Sequence, residues 1–114
     1  MKIENINKLT DKNCVTACIT GRLMDNDTLE MLEDFVNDFL SKGTLNFIFH
    51  FKKVSCISST GLNKLVQIYL KINGKKGKMA IYEPDPFVAR TFEITGLGKK
   101  VGVCNTYEEA LSIL

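Results

Sequence analysis

The sequence predicts a single α/β domain over residues 1–114, with a mixed, mostly parallel sheet of about five strands and about four helices. Strand-like and helix-like segments alternate from residue 14 onward, which is typical of parallel strands joined by right-handed crossovers. A length of 114 residues is enough to bury one core without disulfide or metal support. With 45% hydrophobic and 25% charged residues, the composition is that of a soluble globular protein.

The first two strands are predicted to form an antiparallel hairpin. Residues 3–8 fit a short strand, and residues 14–20 return as a second strand that ends at Gly21. The polar run Thr10-Asp11-Lys12-Asn13 between them is rich in turn-forming side chains. A connection this short favours antiparallel pairing of the strands that flank it.

A core-facing first helix follows the hairpin. It starts at Asp25-Asn26-Asp27-Thr28, where the acidic side chains lie at the favourable end of the helix dipole. It ends at Lys42-Gly43, because glycine readily adopts the left-handed conformation that terminates helices. Between these ends, apolar residues recur at spacings of three and four and predict one buried face: Leu29, Leu32, Phe35, Val36, Phe39 and Leu40.

The centre of the chain is a strand that leads into a helix through three hydroxyl side chains. Residues 45–51 are dense in aromatic and β-branched side chains, which predicts a buried strand. Ser58, Ser59 and Thr60 then precede a helix over about 59–71, which Asn73-Gly74 ends. Hydroxyl groups favour helix N-caps, and the free N–H groups there also tolerate a phosphate. The helix carries one apolar stripe, formed by Leu62, Leu65, Val66 and Tyr69.

The last third of the chain repeats the alternation twice. Residues 79–82 and 101–104 are predicted strands. Asp85-Pro86 starts the helix between them, with aspartate as the cap and proline at the first position. That helix should be anchored by Phe87, Val88 and Phe92 until Gly96. Asn105 or Thr106 caps a final helix whose shared apolar face comprises Tyr107, Ala110, Leu111 and Leu114.

Charge and hydropathy exclude several classes of partner. A net charge of +2 is too small to indicate nucleic acid, and no aromatic side chains interleave with Lys71, Lys75, Lys76 and Lys78. These lysines are typical of a solvated turn, with an anionic partner surface as the alternative. No stretch is long and apolar enough to span a membrane, and the N-terminus has no signal-peptide core. We expect a cytoplasmic protein with neither nucleic acid nor membrane as a direct partner.

The four cysteines do not form a metal or redox motif. Cys14 and Cys18 lie in one predicted strand and are therefore separated by about 13 Å. Two thiolates on one zinc ion can be at most about 4.6 Å apart. Since no Cys-x-x-Cys spacing occurs either, we expect no metal, no cofactor and four reduced, mostly buried thiols. A reactive Cys56 in the loop is the alternative.

Catalysis is not expected from these residues. The sequence lacks the Gly-x-Ser-x-Gly motif of serine hydrolases and contains one histidine, His50. His50 lies in the middle of the predicted central strand, which favours a packed, hydrogen-bonded side chain over a catalytic base. Because no nucleophile, base and orienting group can be assembled, we predict a protein that is not an enzyme.

The order of several short motifs resembles the STAS domain, a module of anti-sigma-factor antagonists and sulfate transporters. The loop Ser58-Ser59-Thr60-Gly61-Leu62 matches the antagonists' Asp-Ser-Ser-Gly-Leu-like loop, which opens a helix. Gly21-Arg22-Leu23 matches an early Gly-x-Leu, and Glu108-Glu109-Ala110-Leu111 a closing Glu-Glu-Ala-Leu. The resemblance covers essentially the whole chain and includes a later segment with matches at Pro86, Val88, Phe92, Gly96 and Leu97.

The resemblance implies an anti-sigma-factor antagonist that is switched by phosphorylation at Ser59, the position of the family's phosphoryl acceptor. Ser58 stands where the antagonists carry aspartate, and His50 where aspartate is frequent. Ser58 or Thr60 as the modified residue is the alternative. A second interpretation is a STAS scaffold, or a subunit of a signalling or transport complex, without a phosphate cycle.

The implied partners are an anti-sigma factor with serine kinase activity and, for the reverse reaction, a serine phosphatase. The unmodified chain is expected to bind the kinase and to be released from it on phosphorylation. Docking would use the loop and the outer face of the second helix, which also carries Lys71 and which the apolar stripe leaves exposed to solvent. The alternative is that this face is solvated and binds no partner. The predicted contact residues are Ser58, Ser59, Thr60, Asn63, Lys64 and Gln67.

Overall fold

The computed structural model describes all residues from 1 to 114 and contains one five-stranded sheet. The strands lie in the sheet in their sequence order. The first pair is antiparallel and the other three pairs are parallel, which confirms the predicted mixed α/β fold. The strands are β1 (Lys2–Leu9), β2 (Cys14–Leu23), β3 (Asn46–Ile57), β4 (Lys78–Tyr82) and β5 (Gly102–Cys104).

Four α-helices alternate with the parallel strands, each with a side-chain cap at its start. They are α1 (Asn26–Ser41), α2 (Ser59–Gly74), α3 (Pro86–Thr95) and α4 (Tyr107–Ile113). Short 3₁₀ turns lie at Thr10–Lys12 and Leu97–Lys99. The capping side chains, each of which accepts from a backbone N–H of the first turn, are Asp25, Ser58, Asp85 and Thr106. Thr106, not Asn105, is thus the cap of α4.

The two faces of the sheet are covered unequally. Alternate residues of β3 point to opposite faces, so that Phe47 and Phe49 enter the main core and Ile48 the smaller one. The main core receives the buried faces of α1, α2 and α3, and the smaller core receives Ala110 of α4. Three helices therefore cover one face of the sheet, and one short helix packs on the other. No helix of the structure is both long and apolar enough to cross a membrane.

Both central parallel strands extend further than predicted. The expectation that β2 ends at Gly21 is wrong, because it continues to Leu23, which pairs with Ile57 at the end of β3. The adjacent, exposed residues Lys52 and Lys53 interrupt the alternation of apolar and polar residues in β3, and such an interruption is typical of the end of a strand. The register shifts at this point, between the Cys18 and Thr20 pairs, and a bulge of this kind lets consecutive side chains both reach solvent.

The anchoring of α3 also differs from the prediction at one residue. Val88 and Phe92 are buried, as expected from their spacing of four. Phe87, which was expected to join them, is 66% exposed. It precedes Val88 by one position, about 100° around the helix at 3.6 residues per turn, and therefore leaves the buried face.

Candidate functional site

The candidate site lies where β3 ends and α2 begins, and Ser58 is the residue that joins the two elements. Ser58 has an extended backbone, with φ −92° and ψ 173°, and its Oγ accepts a hydrogen bond of 3.1 Å from the N–H of Gly61. Its own N–H donates to the carbonyl oxygen of Leu23 over 3.1 Å. The hydroxyl also lies 3.3 Å from the carbonyl oxygen of Met24. Ser58 is therefore committed to holding the start of α2 against the end of β2.

Ser59 and Thr60 are the first two residues of α2, and both are exposed. Neither hydroxyl takes part in an intramolecular side-chain hydrogen bond, because Ser58 already performs the capping. The N–H groups of a first helical turn have no partner within the helix and lie at the positive end of its dipole. The Ser59 hydroxyl is thus accessible, unengaged and close to donors that favour negative charge.

Gly61 allows the close approach of α2 to the edge of the strands. It is buried, and a β-carbon at this position would overlap the carbonyl oxygen of Leu23 and lie 2.8 Å from Cγ1 of Ile57. A larger residue would push the first turn of α2 away from β2 and displace the hydroxyl loop. This close packing explains why the loop motif contains glycine after its hydroxyl residues.

A groove of about 280 Å³ opens beside Ser59, between α2 and the turn that follows α3. Gly96 forms this turn with a left-handed backbone at φ 76°, which favours glycine. Lys100 is the one charged residue of the lining. The sequence marked Gly96 and Leu97 as motif residues but carried no signal that they face Ser59. The lining comprises Ser59, Leu62, Asn63, Val66, Thr95, Gly96, Leu97 and Lys100.

The outer face of α2 is only partly the solvated surface that was predicted. Asn63 and Gln67 are exposed, as expected. The expectation that Lys64 is left to solvent is wrong, since its side chain is 18% exposed and its Nζ lies 3.2 Å from Oε1 of Glu33 on α1. Lys71 is 43% exposed and its Nζ lies 2.9 Å from the other oxygen of the same carboxylate.

Glu33 therefore connects the two helices through two ion pairs. Hydrogen bonds from Lys71 and then Lys64 hold the pKa of the Glu33 carboxyl below its usual value, against the opposing effect of burial. The sequence did not reveal this contact, because Glu33 and Lys64 are 31 positions apart. The two lysines are consequently engaged within the domain.

His50 is packed and hydrogen-bonded, as predicted. Its ring stacks on that of Tyr82 with centroids 4.5 Å apart, and its Nε2 lies 2.7 Å from Oε1 of Glu83. This hydrogen bond lowers the pKa of the Glu83 carboxyl. His50 alternates with Phe49 along β3 and so lies on the face opposite α2, where it cannot act on the Ser59 hydroxyl.

All four cysteines are unpaired. Three are buried, and burial raises the pKa of the Cys14 thiol to about 11. Cys56 lies near the end of β3 and not in the loop, where it had been expected; it is partly exposed, and its sulfur accepts from Nε of Arg22 over 3.4 Å. No group of three or more His, Cys, Asp or Glu side chains is placed to hold a metal ion.

Comparison with solved structures reveals the same fold in anti-sigma factor antagonists. One from Mycobacterium paratuberculosis is 20% identical, with a TM-score of 0.81, over 98% of this chain and 92% of that one. The unphosphorylated anti-sigma factor antagonist SpoIIAA is 21% identical, with a TM-score of 0.78, over 96% of this chain and 93% of that one. The phosphorylated SpoIIAA of Bacillus, a cell fate determinant, is 20% identical, with a TM-score of 0.72, and 97% of each chain is covered.

A match to a family model agrees with the architecture. The STAS domain model matches residues 5–110, which is nearly the whole chain and includes the hydroxyl loop and the groove. The strand order, the single antiparallel pair and the four helices agree with that fold. This chain belongs to the STAS domain family.

Proposed function

We propose that this protein is an anti-sigma-factor antagonist, a non-enzymatic switch controlled by phosphorylation of Ser59. The unmodified chain binds an anti-sigma factor that is also a serine kinase. The kinase transfers the terminal phosphoryl group of ATP to Oγ of Ser59, with release of ADP and the hydroxyl proton, and the modified chain dissociates. A serine phosphatase reverses the modification. The similarity in fold to antagonists, including SpoIIAA in both phosphorylation states, supports this role.

The main observation behind the proposal is that Ser58 and Ser59 differ in their hydrogen bonding. Ser58 makes the capping hydrogen bond, while the exposed Ser59 hydroxyl has no partner. A phosphate there adds a charge of about −1.5 to −2. Negative charge beside the start of a helix is worth roughly 0.3–1 kcal/mol in its favour. The domain should therefore stay folded when it is modified.

At an interface with a partner, the same negative charge is unfavourable for binding. A unit charge placed about 4 Å from a partner's carboxylate costs about 4 kcal/mol at an effective dielectric constant near 20. Each 1.4 kcal/mol or so is a tenfold change in affinity. Because this repulsion exceeds the internal stabilisation, phosphorylation should release the partner without unfolding the antagonist.

The proposed contact surface is the exposed part of the loop and of α2. Ser59, Thr60, Asn63 and Gln67 are exposed and available to a partner. Ser58 and Lys64 belong to the same surface but are engaged in the N-cap and in the ion pair with Glu33, so that they support its shape. With a neutral Ser58 in place of the antagonists' aspartate, the kinase must recognise the loop without that charge.

Phosphopeptide mass spectrometry on the chain recovered from its own cells tests the proposal directly. We expect phosphate on Ser59 in at least one growth condition, and none on Thr60. The Ser59→Ala variant should bind the kinase and not be released from it, whereas Ser59→Asp should fold but not bind. The matched control, Thr60→Ala, should behave like the parent chain. Absence of phosphate from the loop under all conditions would overturn the switch and support the scaffold interpretation.

A further inference from the structure

We propose that the phosphoryl group of modified Ser59 binds in the groove beside this residue, with Lys100 as its counter-ion. Once Ser59 is phosphorylated, the ammonium group of Lys100 pairs with the phosphate across the groove, and the side-chain amide of Asn63 supplies a second donor. The inference rests on the proposed phosphorylation of Ser59. It adds the residues that hold the modified side chain in place.

The charges around the groove support this assignment. Lys100 is the one charged residue of the lining, and it is exposed and forms no ion pair. The two lysines of α2, Lys64 and Lys71, do not line the groove, and both are engaged by Glu33. The unmodified groove thus contains one positive charge without a partner. A dianionic phosphate attached to Ser59 would supply that partner.

The backbone positions Lys100 for this contact. Its N–H donates to the carbonyl oxygen of Leu97 over 2.9 Å, at the end of the 3₁₀ turn that follows α3. The next residue, Val101, is fully buried and ties this turn to the core. The backbone of Lys100 is therefore held in place beside the groove, and its side chain alone needs to adjust to the phosphate.

Asn63 stands one helical turn after Ser59 on the same face of α2, since residues four apart are neighbours on a helix surface. Its amide forms no intramolecular side-chain hydrogen bond, and it lines the groove together with Ser59. Leu62, Val66 and Leu97 supply the apolar part of the lining. Apolar side chains next to an ion pair displace part of its surrounding water and so strengthen it.

The test measures the phosphate itself and needs neither kinase nor partner. Phosphoserine is incorporated genetically at position 59 of the full chain, and its second ionisation is followed by ³¹P NMR as the pH is varied. A free phosphoserine has a pKa near about 6. Pairing with Lys100 should lower this pKa by about 0.5–1 pH unit, and Lys100→Gln should abolish most of that decrease. Asn63→Ala should remove a smaller part of it.

The neighbouring Lys99 provides the matched control, because it has the same charge but does not line the groove. Lys99→Gln should leave the phosphate pKa within about 0.2 pH unit of the parent value, since its charge is screened by solvent. In the parent chain, phosphorylation should also shift the NMR signal of the Lys100 ammonium group and not that of Lys99.

Equal phosphate pKa values in the parent and the Lys100→Gln chains would overturn the inference, as would an equal loss in Lys99→Gln. Because the phosphate is introduced without a kinase, this failure would leave the proposed switch intact. Conversely, a chain that is never phosphorylated in its cells would contradict the proposed function while the pairing remained measurable.

Discussion

Oγ of Ser58 lies 3.1 Å from the backbone nitrogen of Gly61 and accepts its hydrogen bond, whereas the adjacent Ser59 hydroxyl has no partner. Two consecutive serines thus have different roles, one in stability and one at the surface. An N-cap hydrogen bond typically contributes about 0.5–2 kcal/mol to stability. We therefore expect the two positions to respond differently to the same substitution.

Replacement of Ser58 by alanine should lower the free energy of unfolding by about 1 kcal/mol, because the N–H of Gly61 loses its acceptor. Ser59→Ala should change it by less than about 0.5 kcal/mol. Ser58→Asp should retain the cap, since aspartate is an equally good N-cap residue. Urea denaturation followed by circular dichroism measures all three, and equal effects of the two alanine substitutions would contradict the assigned roles.

Gly61→Ala should be among the most destabilising single-methyl additions in the chain. The added β-carbon would meet a backbone carbonyl, that of Leu23, which cannot move aside as a side-chain end can. We expect a loss of about 2–3 kcal/mol, as for other overpacked sites. Gly74→Ala is the control, because no atom outside the local helix backbone lies within 4 Å of the position of its β-carbon. It should leave stability unchanged or raise it by a few tenths of a kcal/mol in the same urea titration.

The two ion pairs of Glu33 predict a pH-dependent contribution to stability. The pKa of this carboxyl is lower in the folded protein than the ordinary value of 4.5, so the folded state favours the charged form. The contribution is therefore present above pH 4.5 and is lost as the pH falls through the lowered pKa. Glu33→Gln should cost about 0.5–1 kcal/mol at pH 7, and this difference should vanish in acid.

Glu30→Gln provides the comparison for this experiment, because Glu30 is exposed on the same helix and forms no ion pair. Its effect on stability should be small at every pH. Thermal unfolding between pH 3 and pH 7 distinguishes the two variants. A cost of Glu33→Gln that does not depend on pH would show that the ion pairs are not its cause.

Thr44, between α1 and β3, is fully buried and its Oγ1 has no hydrogen-bond partner. A buried polar group without a partner typically costs about 1–3 kcal/mol. Thr44→Val replaces the hydroxyl by a methyl group of similar size and should raise the free energy of unfolding by about 1 kcal/mol. Thr44→Ser keeps the hydroxyl, loses the methyl group and should destabilise. A stability decrease in the valine variant would instead indicate that the hydroxyl is satisfied.

Much of the fold followed from local patterns. The periodicity of three and four in α1 and the Asp-Pro start of α3 predicted where these helices lie, because both signals depend on neighbouring residues only. The end of β2 was missed because Gly21 was taken as the end of the strand, although pairing with β3 continues to Leu23. The extension of β3 beyond Phe51 was missed because a bulge at Lys52 and Lys53 breaks the alternation that marks a strand. Burial of Phe87 was also predicted wrongly, because composition alone does not distinguish it from Val88.

The candidate site was likewise predicted only in part. The hydroxyl loop and its position before a helix were readable from the sequence, and so was the packed, hydrogen-bonded environment of His50. The groove was not, because Ser59 and Lys100 belong to elements that only the packing of α2 against the end of α3 brings together. The engagement of Lys64 and Lys71 by Glu33 was likewise invisible.

The sequence by itself determined the order of strands and helices, the caps and glycines that delimit them, and the family. These properties depend on side chains that are close together along the chain. Only the tertiary structure decided which lysines are engaged and which lysine remains available beside Ser59. Those outcomes depend on contacts between residues more than thirty positions apart, such as Glu33 and Lys71, which are 38 apart. Local periodicity carries no information about such contacts, since they are created when the helices pack on the sheet.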